Sequence, residues 1–187
     1  MKEQTQRTMR TLFGSLLVAA GIACAPAIAG NTIEDHKELW AAVESAGVIV
    51  VLNHPTECGE GAAGLYHSGV GQLVVCQDNS VRPFDHVAWT ANDLDTLRHE
   101  AQHVIQDCLE GGLGDRELGR VLDRDTLAEI ATDAGIAVED FQRIERVYRA
   151  QGADTHVVLL EIEAFVVAAA VEASTLARTL NNHCSLY

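Results

Sequence analysis

Asn92-Asp93-Leu94-Asp95-Thr96-Leu97-Arg98-His99-Glu100-Ala101-Gln102-His103-Val104-Ile105-Gln106-Asp107-Cys108-Leu109 reads as a helix with two faces. At ~100° per residue, Leu94, Leu97, Ala101, Val104, Ile105 and Cys108 gather on one side. His99 and His103 stand opposite, about 40° apart, with Asp95 and Gln106 beside them. Asn92 is the expected N-cap, and Asp93 and Asp95 suit the positive end of the helix dipole. Gly111-Gly112 is the expected stop.

The flanking segments sort into strands before and helices after. Thr32 to Ala46 reads as a helix, with Thr32 and Asp35 spaced as a capping box and Ile33, Leu39, Trp40 and Val43 as its apolar stripe. Val48 to Leu52 is a continuous β-branched run, expected as a buried strand. Leu65–His67 and Gln72–Gln77 read as two strands joined through Ser68-Gly-Val-Gly71. Further helices are expected at 125–134, 139–150 and 155–180, the last nearly all apolar and therefore inside the fold. Segregated strands and helices imply an α+β class.

The first 29 residues look like a secretory leader. Lys2, Arg7 and Arg10 precede a short apolar run from Leu12 to Ala23, and Ala27-Ile-Ala29 has the A-x-A form of a cleavage site. The expected organisation is a signal peptide at 1–29 and one domain at 30–187. The whole chain carries −14 in formal charge, and loss of a leader with three basic and one acidic residue leaves −16. Such an exported, acidic chain repels nucleic acid and anionic membrane surfaces, and 5% aromatic content is too little for a base-stacking surface. Four cysteines remain: Cys58, Cys76, Cys108 and Cys184. In an oxidising compartment an even number implies disulfides, and four allow three pairings. Cys58–Cys76 and Cys108–Cys184 are favoured. The first closes a hairpin-like stretch, and the second ties the C-terminus to the histidine-bearing helix.

His99-Glu-Ala-Gln-His103 is an H-E-x-x-H motif. Histidines at i and i+4 on one helical face can both reach one metal ion, while the intervening Glu100 lies alongside as a general base. With 8 His in 187 residues, chance gives roughly 0.03 such matches. A catalytic zinc takes three protein ligands and leaves a fourth position to water. Gln106 occupies the place where the third-histidine pattern needs Gly. Glu161 and Glu163, in the apolar segment Leu159 to Ala170, are the candidates for the third ligand, since a buried carboxylate must be paired or metal-bound. Tyr148, His156 and Gln106 are candidates for stabilising an oxyanion. His36, His54, His67, His86 and His183 lack ligand spacing.

H-E-x-x-H together with Glu161-Ile-Glu-Ala164 resembles the gluzincin branch of the zincin-like metallopeptidases, which pair the motif with a downstream Glu in a Glu-x-x-Ala setting. The resemblance covers residues 99–106 and 161–168. It implies a mixed sheet lying over the active-site helix, one Zn²⁺ on His99, His103 and Glu161, and Glu100 activating water against a peptide or protein substrate. Many members place Asp or Asn directly after the Ala; here Phe165 stands there, so support for the ligands must come from elsewhere. Two other classes compete: an exported binding protein with a closed, structural zinc site, and a secreted domain held by its disulfides alone.

Overall fold

A computed structural model describes residues 31–59 and 61–184, and the expected signal peptide lies outside them. The described residues form an α+β fold in the order α1 (Ile33–Ser45), β1 (Ile49–Leu52), β2 (Gly64–His67), β3 (Gln72–Val75), α2 (Ala91–Glu110), α3 (Arg124–Asp133), α4 (Val138–Ala150), α5 (Thr155–Ala170) and α6 (Ala173–His183).

Local chemistry explains most boundaries. Thr32 and Asp35 form the expected capping box on α1. A second capping box starts α2, and here the N-cap is Thr90 rather than Asn92. Thr90 and Asp93 satisfy each other's backbone amides, while the Asn92 side chain donates to Asp78 Oδ1 at 2.9 Å. The expected 155–180 helix is two helices. Val171 takes an extended backbone (φ −106, ψ 134) and ends α5. Asn31 Oδ1 then accepts from the Ala173 amide at 2.9 Å, satisfying a first-turn donor of α6.

The sheet order is β1-β3-β2, with β3 parallel to β1 and antiparallel to β2. Gly71, at φ 61, makes the tight β2–β3 turn that a side chain would strain. β1 is not the fully buried strand its composition suggests. It is an edge strand, so Ile49 stays 62% exposed and only Leu52 of the strand is buried.

One core joins α1, the sheet, α2 and α6 through Leu39, Val43, Leu73, Leu97, Ile105 and Leu180. α5 packs along α2, and α3 and α4 pack on α5 alone among these elements. Consequently both faces of α2 are covered. The histidine face, which periodicity alone would leave to solvent, is buried by α5.

Both expected disulfides are present. Cys58–Cys76 spans 18 residues and Cys108–Cys184 spans 76. They place the fold in an oxidising environment. No described helix is long and apolar enough to cross a membrane. Chain entropy makes the longer loop the more stabilising, by about 1 kcal/mol. Urea unfolding of the Cys108→Ala/Cys184→Ala and Cys58→Ala/Cys76→Ala pairs should each lose ~2–5 kcal/mol, with the larger loss from the first.

Candidate metal centre

α2 supplies His99 and His103 one turn apart, and α5 supplies Glu161 from across the helix pair. Their side-chain atoms converge. His99 Nε2 lies 3.1 Å from His103 Nε2, 3.3 Å from Glu161 Oε2, and His103 Nε2 lies 3.5 Å from Glu161 Oε1. A tetrahedral ion with bonds of ~2.0–2.1 Å separates its ligand atoms by about 3.3 Å, so the spacing fits a metal ion. Among the described residues these three form the one group of His, Cys, Asp or Glu able to hold a metal. Two imidazoles and a carboxylate are a borderline-soft N/O set suited to zinc and its neighbours.

The three groups are electrostatically coupled. Burial alone would raise the Glu161 carboxyl, but the His103 charge and hydrogen bonds from both histidines outweigh it and hold it well below its ordinary value. His103 responds in the opposite direction. Burial opposes its charge, but Glu161 prevails and lifts it to about 9. His99 is lowered, mainly by burial. Either a proton on the histidines or a metal ion can meet the Glu161 charge.

Glu100 is set apart. Its carboxylate is fully buried, faces the Tyr66 backbone amide of β2 and stands outside the ligand group. Burial pushes it up to about 8, against the opposing charge of His103. β2 passes close above it. A Cβ on Gly64 would meet Thr96 Cγ2 at 2.5 Å and Glu100 Cγ at 3.2 Å, so only glycine permits this approach.

Glu163, the other candidate ligand, points away from the histidines. Its Oε1 accepts from Gln102 Nε2 (2.9 Å), Gln106 Nε2 (3.0 Å) and the Val121 amide (3.1 Å), and its Oε2 accepts from the Leu122 amide (3.1 Å). Of the three oxyanion candidates, only Tyr148 reaches the centre. Its phenol is raised well above the ordinary value by burial, and then by the charges of Glu161 and Glu100. Exposed His156 bonds the Leu118 carbonyl at 2.8 Å instead. Gln106 is spent on His103 Nδ1, Glu163 and the Leu160 carbonyl. Phe165 lies edge-on to the His99 ring, centroids 4.7 Å apart. Periodicity gave no hint of buried Arg98, which contacts Asp95, donates to His36 Nε2 (2.7 Å) and to the Ala168 carbonyl (2.8 Å), and so locks α2 to α1 and α5.

Compared with known proteins, the chain matches no family model, and no curated protein or solved structure matches it.

In the metal-free protein Glu100 carries a stability cost with a definite pH window. Its folded value is raised from 4.5 to about 8. Below the lower value both states are protonated and nothing is lost. As pH rises, the unfolded chain sheds this proton first, so stability declines until the folded group ionises. Glu100→Gln should therefore raise the melting temperature of the metal-free chain by several degrees at pH 8. The gain should fade toward pH 4.5, as read by thermal scans across pH.

Proposed function

We infer that the chain is an exported zinc-dependent hydrolase that cleaves peptide bonds. The observation that carries this is the pairing of a three-residue ligand group with a separate, fully buried carboxylate beside it. Closed structural sites use four protein ligands, whereas hydrolytic sites use three and keep a base close by. A zinc ion on His99, His103 and Glu161 would supply Lewis acidity, acidifying water and polarising a carbonyl.

The chain's own groups then have distinct tasks. Glu100 accepts the proton released by the attacking water and returns it to the leaving amine. The Tyr148 phenol, kept protonated by its surroundings, donates a hydrogen bond to the developing oxyanion. β2 pairs with β3 alone, so its outer edge can take an extended peptide as an added strand. Gly64 brings that edge down onto Glu100. The resemblance to gluzincins points the same way, through the two segments that carry the ligands.

The burial of the ligands favours a second reading, in which the metal only stiffens the fold. His99, His103 and Glu161 are each 2% exposed. A peptide reaches them only when a covering element moves aside. α4, which carries Tyr148, packs on α5 alone among these elements.

Zinc-loaded protein incubated with a mixed peptide library separates the two readings. The hydrolase reading expects cleavage. Glu100→Gln should retain one zinc per chain and lose turnover by at least ~10²-fold. Zinc bound with no cleavage would favour the structural role, and equal cleavage by Glu100→Gln would overturn Glu100 as the base.

A further inference from the structure

The two histidines of the centre are not held alike. His99 Nδ1 is buried without a hydrogen-bond partner. His103 Nδ1 donates to Gln106 Oε1 at 2.7 Å. The orientation of the Gln106 amide is itself forced. Its Nε2 faces Glu163 Oε1 at 3.0 Å and the Leu160 carbonyl at 3.2 Å, both acceptors. Turning the amide over would set its oxygen against two other oxygens, deep in the protein where an unmet acceptor is costly. Its NH₂ must therefore face Glu163, and its oxygen must face His103.

We propose that Glu163 is a positioning residue for the metal centre. Through Gln106 it holds the proton of His103 on Nδ1 and so turns Nε2 toward Glu161 and His99. The inference rests on the assignment of His99, His103 and Glu161 as a zinc site, and extends it to a residue that touches none of them. Glu163 is suited to the task because its carboxylate is immobilised by four donors, from Gln102, Gln106 and the amides of Val121 and Leu122. Metal-binding histidines commonly give their second N–H to such a partner, and loss of the partner weakens metal binding about 10–100-fold. In this chain the partner is reached in two steps, which meets the support left open by Phe165. The relay also ties the centre to the segment leading into α3, through Val121 and Leu122.

The test measures zinc affinity by chelator competition and follows the His103 Nδ1–H of zinc-loaded, ¹⁵N-histidine-labelled protein by NMR. In the wild type this proton should be hydrogen-bonded and slow to exchange. Glu163→Gln should weaken zinc about ten-fold or more and speed that exchange. Gln106→Met should do the same, and the double variant should be little worse than either single one, because the two residues act in series. Gln102→Met removes one of four donors to Glu163 but leaves the His103–Gln106–Glu163 chain in place, and should cost clearly less affinity than Gln106→Met. If Glu163→Gln does not fold, the contrast between Gln106→Met and Gln102→Met decides the matter. Equal zinc affinity and equally slow exchange in Gln106→Met and the wild type would overturn the relay while leaving the zinc site standing. Additive losses in the double variant would also overturn it. A wild-type chain that binds no zinc would remove the site, and the relay with it.

Discussion

Two carboxylates on one apolar helix set the terms for the rest of the molecule. α5 carries Glu161 and Glu163 among valine, leucine and alanine, and both are buried. A bare carboxylate there would be prohibitively costly, so each needs matched partners. The polar face of α2 supplies them. His99 and His103 meet Glu161, and Gln102 and Gln106 meet Glu163. Because α2 and α5 are joined by polar contacts on one side, the apolar side of α2 is left for α1, α6 and the sheet. The candidate metal-binding group is thus part of how the helices pack and not an addition to a finished core.

That dependence has an energetic consequence. Glu100 shares the buried polar layer, but no side chain there hydrogen-bonds it. A fold selected for stability alone would place an amide or an apolar residue at that position. A buried carboxylate pushed up by its surroundings is the kind of group the proposed proton transfer would use. Gly64 makes a similar concession, since any larger residue would push the sheet edge away from Glu100.

Local sequence patterns disclosed much of this. Helical periodicity placed His99 and His103 on one face, the favoured disulfide pairs followed from where the cysteines lie, and Glu161 and Glu163 stood out as two acids in an apolar run. What they could not disclose was non-local. Periodicity sorts residues by type and does not say what will cover a polar face, so the burial of α2 by α5 was hidden. The break at Val171 has no Gly or Pro to announce it, and Asn31, which satisfies the Ala173 amide, lies at the far end of the described chain. Half of the bonds to Glu163 come from backbone amides of Val121 and Leu122, which carry no residue-type signal. β1 looked buried because edge and central strands share one composition, and only the strand order distinguishes them.

The central claim is that one metal ion sits between α2 and α5 with a position left for a non-protein ligand. Zinc K-edge X-ray absorption on the purified chain tests it most directly. The account predicts about one zinc per chain with two imidazoles, a carboxylate oxygen and one further light-atom ligand, all at ~2.0–2.2 Å, and with no sulfur. That coordination should vanish in a His99→Ala/His103→Ala variant. Sulfur in the shell, or the same shell surviving without the two histidines, would contradict it.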